Sequence, residues 1–98
     1  GTERSMNVVW SQYALTQRIK LLAARAEYAG KASARKADLE IIRLIELATT
    51  QPDMGKPGSI EGTRELYPFR YRLVYRVSVD CEELHVLAIL PQWQKWPQ

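Results

Sequence analysis

From Met6 onward the apolar positions first keep company, then spread to a helical period. MNVVW (6–10) is short, apolar and β-branched, and predicts a strand. Ser11 follows, and its hydroxyl suits a helix N-cap. In QYALTQRIKLLAARAEYAG (12–30), Leu15, Ile19, Leu22 and Ala26 recur at helical spacing, while Gln17, Lys20, Arg25 and Glu27 fall mostly elsewhere. Gly30 supplies a C-terminal stop. Ser33 is a second N-cap candidate. Behind it Ala34, Ala37, Ile41, Leu44, Ile45 and Ala48 mark one face, which Leu39 and Ile42 widen, so this helix is expected to be contacted on two sides. Pro52 ends it and PDMGKPG reads as a turn. About three residues between the two helices predict an antiparallel hairpin.

Beyond that turn the apolar period falls to two. Ser59–Leu66 contains one strand and Phe69–Val79 alternates throughout. DCEE (80–83) is a polar connection. Leu84–Leu90 is nearly all apolar, as befits a central strand covered on both faces for much of its length. The tail PQWQKWPQ forms no regular element. The fold class is therefore α+β in the order β-α-α-β-β-β, an N-terminal strand and a helical hairpin packed on one face of a mainly antiparallel sheet.

Alternation also assigns the charge to a side. On Phe69–Val79 the odd positions Phe69, Tyr71, Leu73, Tyr75, Val77 and Val79 are all apolar or aromatic. The even positions carry Arg70, Arg72 and Arg76. Burying three unpaired arginines costs several kcal/mol each, so the odd face meets the helices and the even face is expected to be open and basic. Two readings of that face stand side by side. One is a solvated surface whose arginines pair with Glu61, Glu65 or Glu82. The other is a surface for an anion or an acidic partner, which arginine's planar fork suits.

Composition narrows the setting. The 98 residues make one domain, placed at 6–98, with GTERS (1–5) before Met6 read as a vector scar. A net charge of +3 favours an acidic partner without choosing protein or nucleic acid. The single cysteine, Cys81, allows no internal disulfide and fits the cytoplasm. One cysteine and one histidine make no metal cluster, and GKPGS lacks phosphate-loop spacing, so no metal and no cofactor are expected. No apolar run is long enough to span a membrane.

GTREL (62–66), YRLVYRV (71–77), LHVLAIL (84–90) and QKWP (94–97), with WSQYALTQRIK upstream and the P-D-M-G turn after the second helix, resemble the RelE/ParE toxin superfamily of bacterial toxin–antitoxin modules. The resemblance covers nearly all of residues 6–97. It implies two different activities on one fold. RelE-type members cut messenger RNA on the ribosome without metal; ParE-type members bind DNA gyrase without known nuclease chemistry.

Metal-free RNA cleavage needs an acid–base pair and cations around the phosphate. Arg72 matches the arginine of the family strand. The position of a second basic residue holds Glu65, the position of a common histidine after the last strand holds Pro91, and no tyrosine follows Tyr75. The nuclease alternative thus has Arg72, Arg76, Glu65 and His85 as its catalytic set, and it looks incomplete. REL and the WP ending resemble ParE. The leading expectation is a ParE-like toxin that inhibits gyrase, causes growth arrest and stabilises plasmids. Its target contacts would be Arg64, Arg70, Arg72, Arg76, Trp93 and Trp96. A cognate acidic antitoxin, of ribbon-helix-helix type, would lie on a groove that includes Leu39 and Ile42. A degenerate, non-toxic binding module of the same fold is the remaining alternative.

Overall fold

The computed structural model describes residues 6–97, so the proposed scar at 1–5 lies outside the described residues. β1 (Asn7–Trp10) leads into α1 (Gln12–Ala29) and α2 (Lys31–Thr50), then a 3-10 turn at Pro52–Met54, β2 (Lys56–Pro57), β3 (Thr63–Leu66), β4 (Tyr71–Ser78) and β5 (Glu83–Pro91). The five strands form one sheet in the order β1-β5-β4-β3-β2. β1 runs parallel to β5 and the other pairs are antiparallel. This is the expected α+β arrangement, with one strand more.

Ser11 caps α1 as its position suggested: its Oγ accepts from the Ala14 N–H at 3.0 Å. The same hydroxyl donates to the Leu87 carbonyl at 3.0 Å, and the Ser11 N–H donates to the Val86 carbonyl at 3.0 Å. At that point the β4–β5 ladder shifts register. Tyr75 pairs with Val86, Val74 pairs with Ala88, and Leu87 is the extra residue. Such a bulge reverses the parity of β5. Leu84 and Val86 face the helices before it, and Ile89 faces them after it. One serine thus fastens the start of α1 to the irregularity in the central strand.

The hairpin is tighter than three linking residues. Gly30 alone joins the helices, at φ +94°, a conformation closed to most other side chains. Ser33 is therefore inside α2, and its Oγ accepts from Arg25 Nε at 2.8 Å instead of capping. α2 buries Ala34, Ala37, Ile41, Ile45 and Ala48, as its pattern indicated. α1 buries only part of the expected stripe: Leu22 and Ala26 are half-buried, but Leu15 is 37% and Ile19 69% exposed. Ala14 is fully buried, Leu21 and Leu22 pack against the core, and a bidentate Arg18–Asp38 pair (2.8 and 2.9 Å) ties α1 to α2. With Ala14 in the core, Leu15 and Ile19 turn toward solvent while Leu21 and Leu22 still pack inward.

On β4, Tyr71, Leu73 and Tyr75 enter the core with Leu66, Leu84, Val86 and Ile89. The helix-facing half of the parity argument holds from Phe69 to Val77, whereas Val79, past the end of β4, is 75% exposed. The outward half needs correction. Phe69 and Arg70 precede the strand, in a turn closed by Tyr71 N–H to Pro68 O at 3.0 Å. Val74, Ala88 and Leu90 are fully buried although they lie outside the helix-facing core, and Arg72 is half-buried. The C-terminal tail folds back to this side: Gln92 N–H donates to Arg70 O at 2.9 Å, and two tail carbonyls reach Arg72. The even face is open only towards Arg76.

Candidate functional site

The expected site residues separate into four places. The first is a clasp around Arg72. Its Nε donates to Gln94 O at 2.7 Å and its Nη2 to Gln92 O at 3.0 Å. Its Nη1 donates to Glu65 Oε1 in a short charge-assisted bond, and its guanidinium lies 5.4 Å from the Tyr67 ring centroid. Glu65 is 5% exposed and also accepts from Tyr67 OH at 2.7 Å. Burial, reinforced by that bond to a carboxylate, holds the Tyr67 phenol above its ordinary pKa. Paired with Glu65 and bonded to two tail carbonyls, this guanidinium has few donors left for an incoming phosphate.

The second place is the turn after α2. Arg64 lies on the helix-facing side of β3, opposite in facing to Arg72, and its Nη1 donates to Gly55 O at 2.7 Å. It also lies 3.6 Å from the Asp53 carboxylate. Tyr75 OH donates to Pro52 O at 2.7 Å and accepts from Gly55 N–H at 3.0 Å. Arg64 and Tyr75 together hold the P-D-M-G turn in place.

The third place is the far end of the outer face. Arg76 is exposed and pairs across the ladder with His85. His85 does face outward, as alternation placed it, and its Nε2 lies 3.0 Å from Glu83 Oε1. Four ladder steps separate it from Arg72, about 13 Å at strand spacing. Glu65 therefore meets Arg72, but His85 and Arg76 do not join them.

The fourth place brings Arg70 and Trp93 together. With Arg25, Tyr28 and Phe69 they line a hollow of about 330 Å³ between the second half of α1, the β3–β4 turn and the start of the tail. Trp93 is 80% and Tyr28 85% exposed. Trp96 is half-buried and does not line the hollow. Arg25, Tyr28 and Phe69 escaped the sequence reading, because they come from a helix and a turn that only the folded chain joins.

The expected helix groove is present as an open trough of about 570 Å³ along α2. Leu39, Ile42 and Leu47 provide its apolar surface, and Arg43, Glu46 and Thr50 its polar margin. Among the described residues no group of three or more His, Cys, Asp and Glu side chains is placed to hold a metal ion. No described helix is long and apolar enough to cross a membrane.

The model of a family described as the ParE toxin of the type II toxin–antitoxin system parDE matches residues 8–96. A chain of the chromosomal ParDE toxin–antitoxin system from P. aeruginosa is similar in fold, with TM-score 0.76 and 20% identity over 89% of this chain and 96% of that one. A YoeB/ParE toxin from Agrobacterium tumefaciens aligns with TM-score 0.64 and 21% identity, over 90% of this chain and 100% of that one. A chain of the intact E. coli RelBE toxin–antitoxin complex aligns with TM-score 0.55 and 14% identity, over 92% and 100%. No curated protein matches in sequence. Identities this low bear on the fold, whereas the family match runs from β1 into the tail. Strand, hairpin, sheet and P-D-M-G turn thus fall within one matched span, and the chain belongs to the ParE toxin family of type II toxin–antitoxin systems, within the RelE/ParE superfamily.

Proposed function

We propose that this chain is a toxin that acts by docking to DNA gyrase and not by cutting RNA, and that a cognate antitoxin holds it silent until release. The state of Arg72 carries this reading. A phosphate-gripping arginine needs free donors, and here they go to Glu65, Gln92 O and Gln94 O. The residues left to meet a target are Arg70, Arg76 and Trp93, all exposed. Arginine and tryptophan recur at binding hot spots.

The antitoxin is an acidic chain of ribbon-helix-helix type whose C-terminal segment folds on the toxin. An amphipathic helix laid along α2 would place its apolar side on Leu39, Ile42 and Leu47. The net charge of +3 favours an acidic segment. A supercoiling assay with purified gyrase and relaxed plasmid tests the target. The reading expects supercoiling to fall as toxin is added; full activity at toxin excess removes it.

One observation favours the ribosome as the target. Glu65, Tyr67 and Arg72 unite a carboxylate, a phenol and a guanidinium within hydrogen-bond reach. If the tail were displaced, that set could handle a ribose and a phosphate. Primer extension on translated messages decides: codon-linked cuts made by the wild-type chain and lost in a folded Arg72→Met, Glu65→Leu double variant support a nuclease, and intact messages exclude it.

A further inference from the structure

The hollow at Arg25, Phe69, Arg70 and Trp93 has features that neither the clasp nor the α2 trough explains. The Phe69 ring lies near two cations: the Arg25 guanidinium is 4.8 Å from its centroid and that of Arg70 5.9 Å. Arg25 also lies 5.7 Å from the Tyr28 ring. Its Nε is held by Ser33, which fixes the plane and leaves the terminal nitrogens to a ligand. No carboxylate is among the described lining residues, and no ion pair reaches Arg25 or Arg70 among the described residues. Phe69 adopts φ +57°, an uncommon and strained choice for an aromatic residue. Leu21, Ala24 and Pro91 give the hollow an apolar lining. Tyr28 and Trp93 stand almost bare beside it.

From this arrangement we infer that the hollow is a docking site for an acidic peptide segment of a protein partner. One aliphatic or aromatic side chain enters the hollow, and flanking carboxylates are gripped by Arg25 and Arg70. Charge complementarity selects the occupant. A peptide is favoured over single-stranded nucleic acid because both cations line one compact hollow. A nucleic-acid strand needs a basic groove that follows successive phosphates. The site shares no residue with the α2 trough, so two segments can occupy the molecule at once. It rests on the reading of this chain as a protein-binding toxin only in looking for its ligand on a protein.

The test uses the whole chain, a synthetic peptide with one leucine between glutamates, its glutamine counterpart, and a single-stranded oligonucleotide. Amide, indole and arginine Nε–H resonances are followed by NMR. The acidic peptide should shift Trp93, Tyr28, Phe69, Arg25 and Arg70 together, leaving Leu39 and Ile42 unmoved. Arg70→Glu should weaken it about tenfold or more. Tyr28→Ala, at a position too exposed to matter for folding, should weaken it as well. Equal binding of the neutral peptide, shifts confined to the α2 trough, no shift at millimolar peptide, or binding of the oligonucleotide alone would each overturn the proposal. None of these results depends on gyrase, so the two readings fail separately.

Discussion

The phenolic oxygen of Tyr75 lies 3.0 Å from the backbone nitrogen of Gly55, and a Cβ on Gly55 would stand 2.6 Å from that oxygen. The glycine of the P-D-M-G turn is there for space: its φ is −73°, which any residue accepts. Tyr75 is fully buried, so its ring cannot retreat. Gly55→Ala is expected to destabilise the fold by about 1–3 kcal/mol through overpacking. Tyr75→Phe should lose about 1–3 kcal/mol, because Pro52 O loses its donor and Gly55 N–H its acceptor. Urea unfolding of both variants measures this, and wild-type midpoints would refute it.

A charge in the α2 trough should separate binding from folding. Leu39 is 63% exposed, so Leu39→Glu should change stability by no more than about 0.5 kcal/mol. If the antitoxin helix covers this trough, the same change should weaken the complex about 30-fold or more. Ile42→Glu should weaken the complex too, with a larger loss of stability because Ile42 is half-buried. Calorimetric titration against the copurified antitoxin, with melting curves of the free variants, checks both halves.

Removing Arg72 should unfold more than it disarms. Its side chain is 17% exposed and that of Glu65 6%, so Arg72→Ala strands a buried carboxylate. The expected loss is about 3 kcal/mol. Replacing both partners, as Arg72→Met with Glu65→Leu, should recover much of that. A denaturation cycle over the four proteins measures the coupling. Loss of toxicity in Arg72→Ala alone would then report a damaged fold, and the double variant shows whether the guanidinium itself acts.

Alkali should weaken the fold through its tyrosines. Burial first of all raises the pKa of Tyr67, Tyr71 and Tyr75 above the ordinary value of about 10. Arg25 opposes this at Tyr71, and the Gly55 N–H opposes it at Tyr75. The folded chain then holds protons that the unfolded chain releases. This contribution is whole below about pH 10 and is lost as pH climbs through the folded values. Melting temperature should fall as pH rises above about 10, and less steeply in Tyr71→Phe. An unchanged slope in that variant would refute the assignment.

What could be read from residues alone was whatever side chains announce. The Ser11 cap, the Gly30 stop, the buried face of α2 and the inward odd positions of β4 all follow from a period or a cap. The tail's return over the sheet does not, because it is made by the carbonyls of Gln92 and Gln94, which every residue possesses. Nor does the bulge at Leu87, which sits in a continuous apolar run where no polar residue marks the change of parity. On α1 the expected stripe ran through Leu15 and Ile19, but the buried position is Ala14, whose small side chain gave no apolar signal of its own. The arginines were found, but alternation could not show that Arg64 and Arg72 point to opposite sides of the sheet from neighbouring strands.

The most direct check of the account is hydrogen exchange at the Nε–H of Arg72, resolved by NMR in the free protein. Held against Gln94 O beside a buried carboxylate, this proton should exchange far more slowly than that of exposed Arg70. Exchange as fast as at Arg70 would mean a guanidinium free to take a phosphate, and would contradict a toxin that works by docking alone.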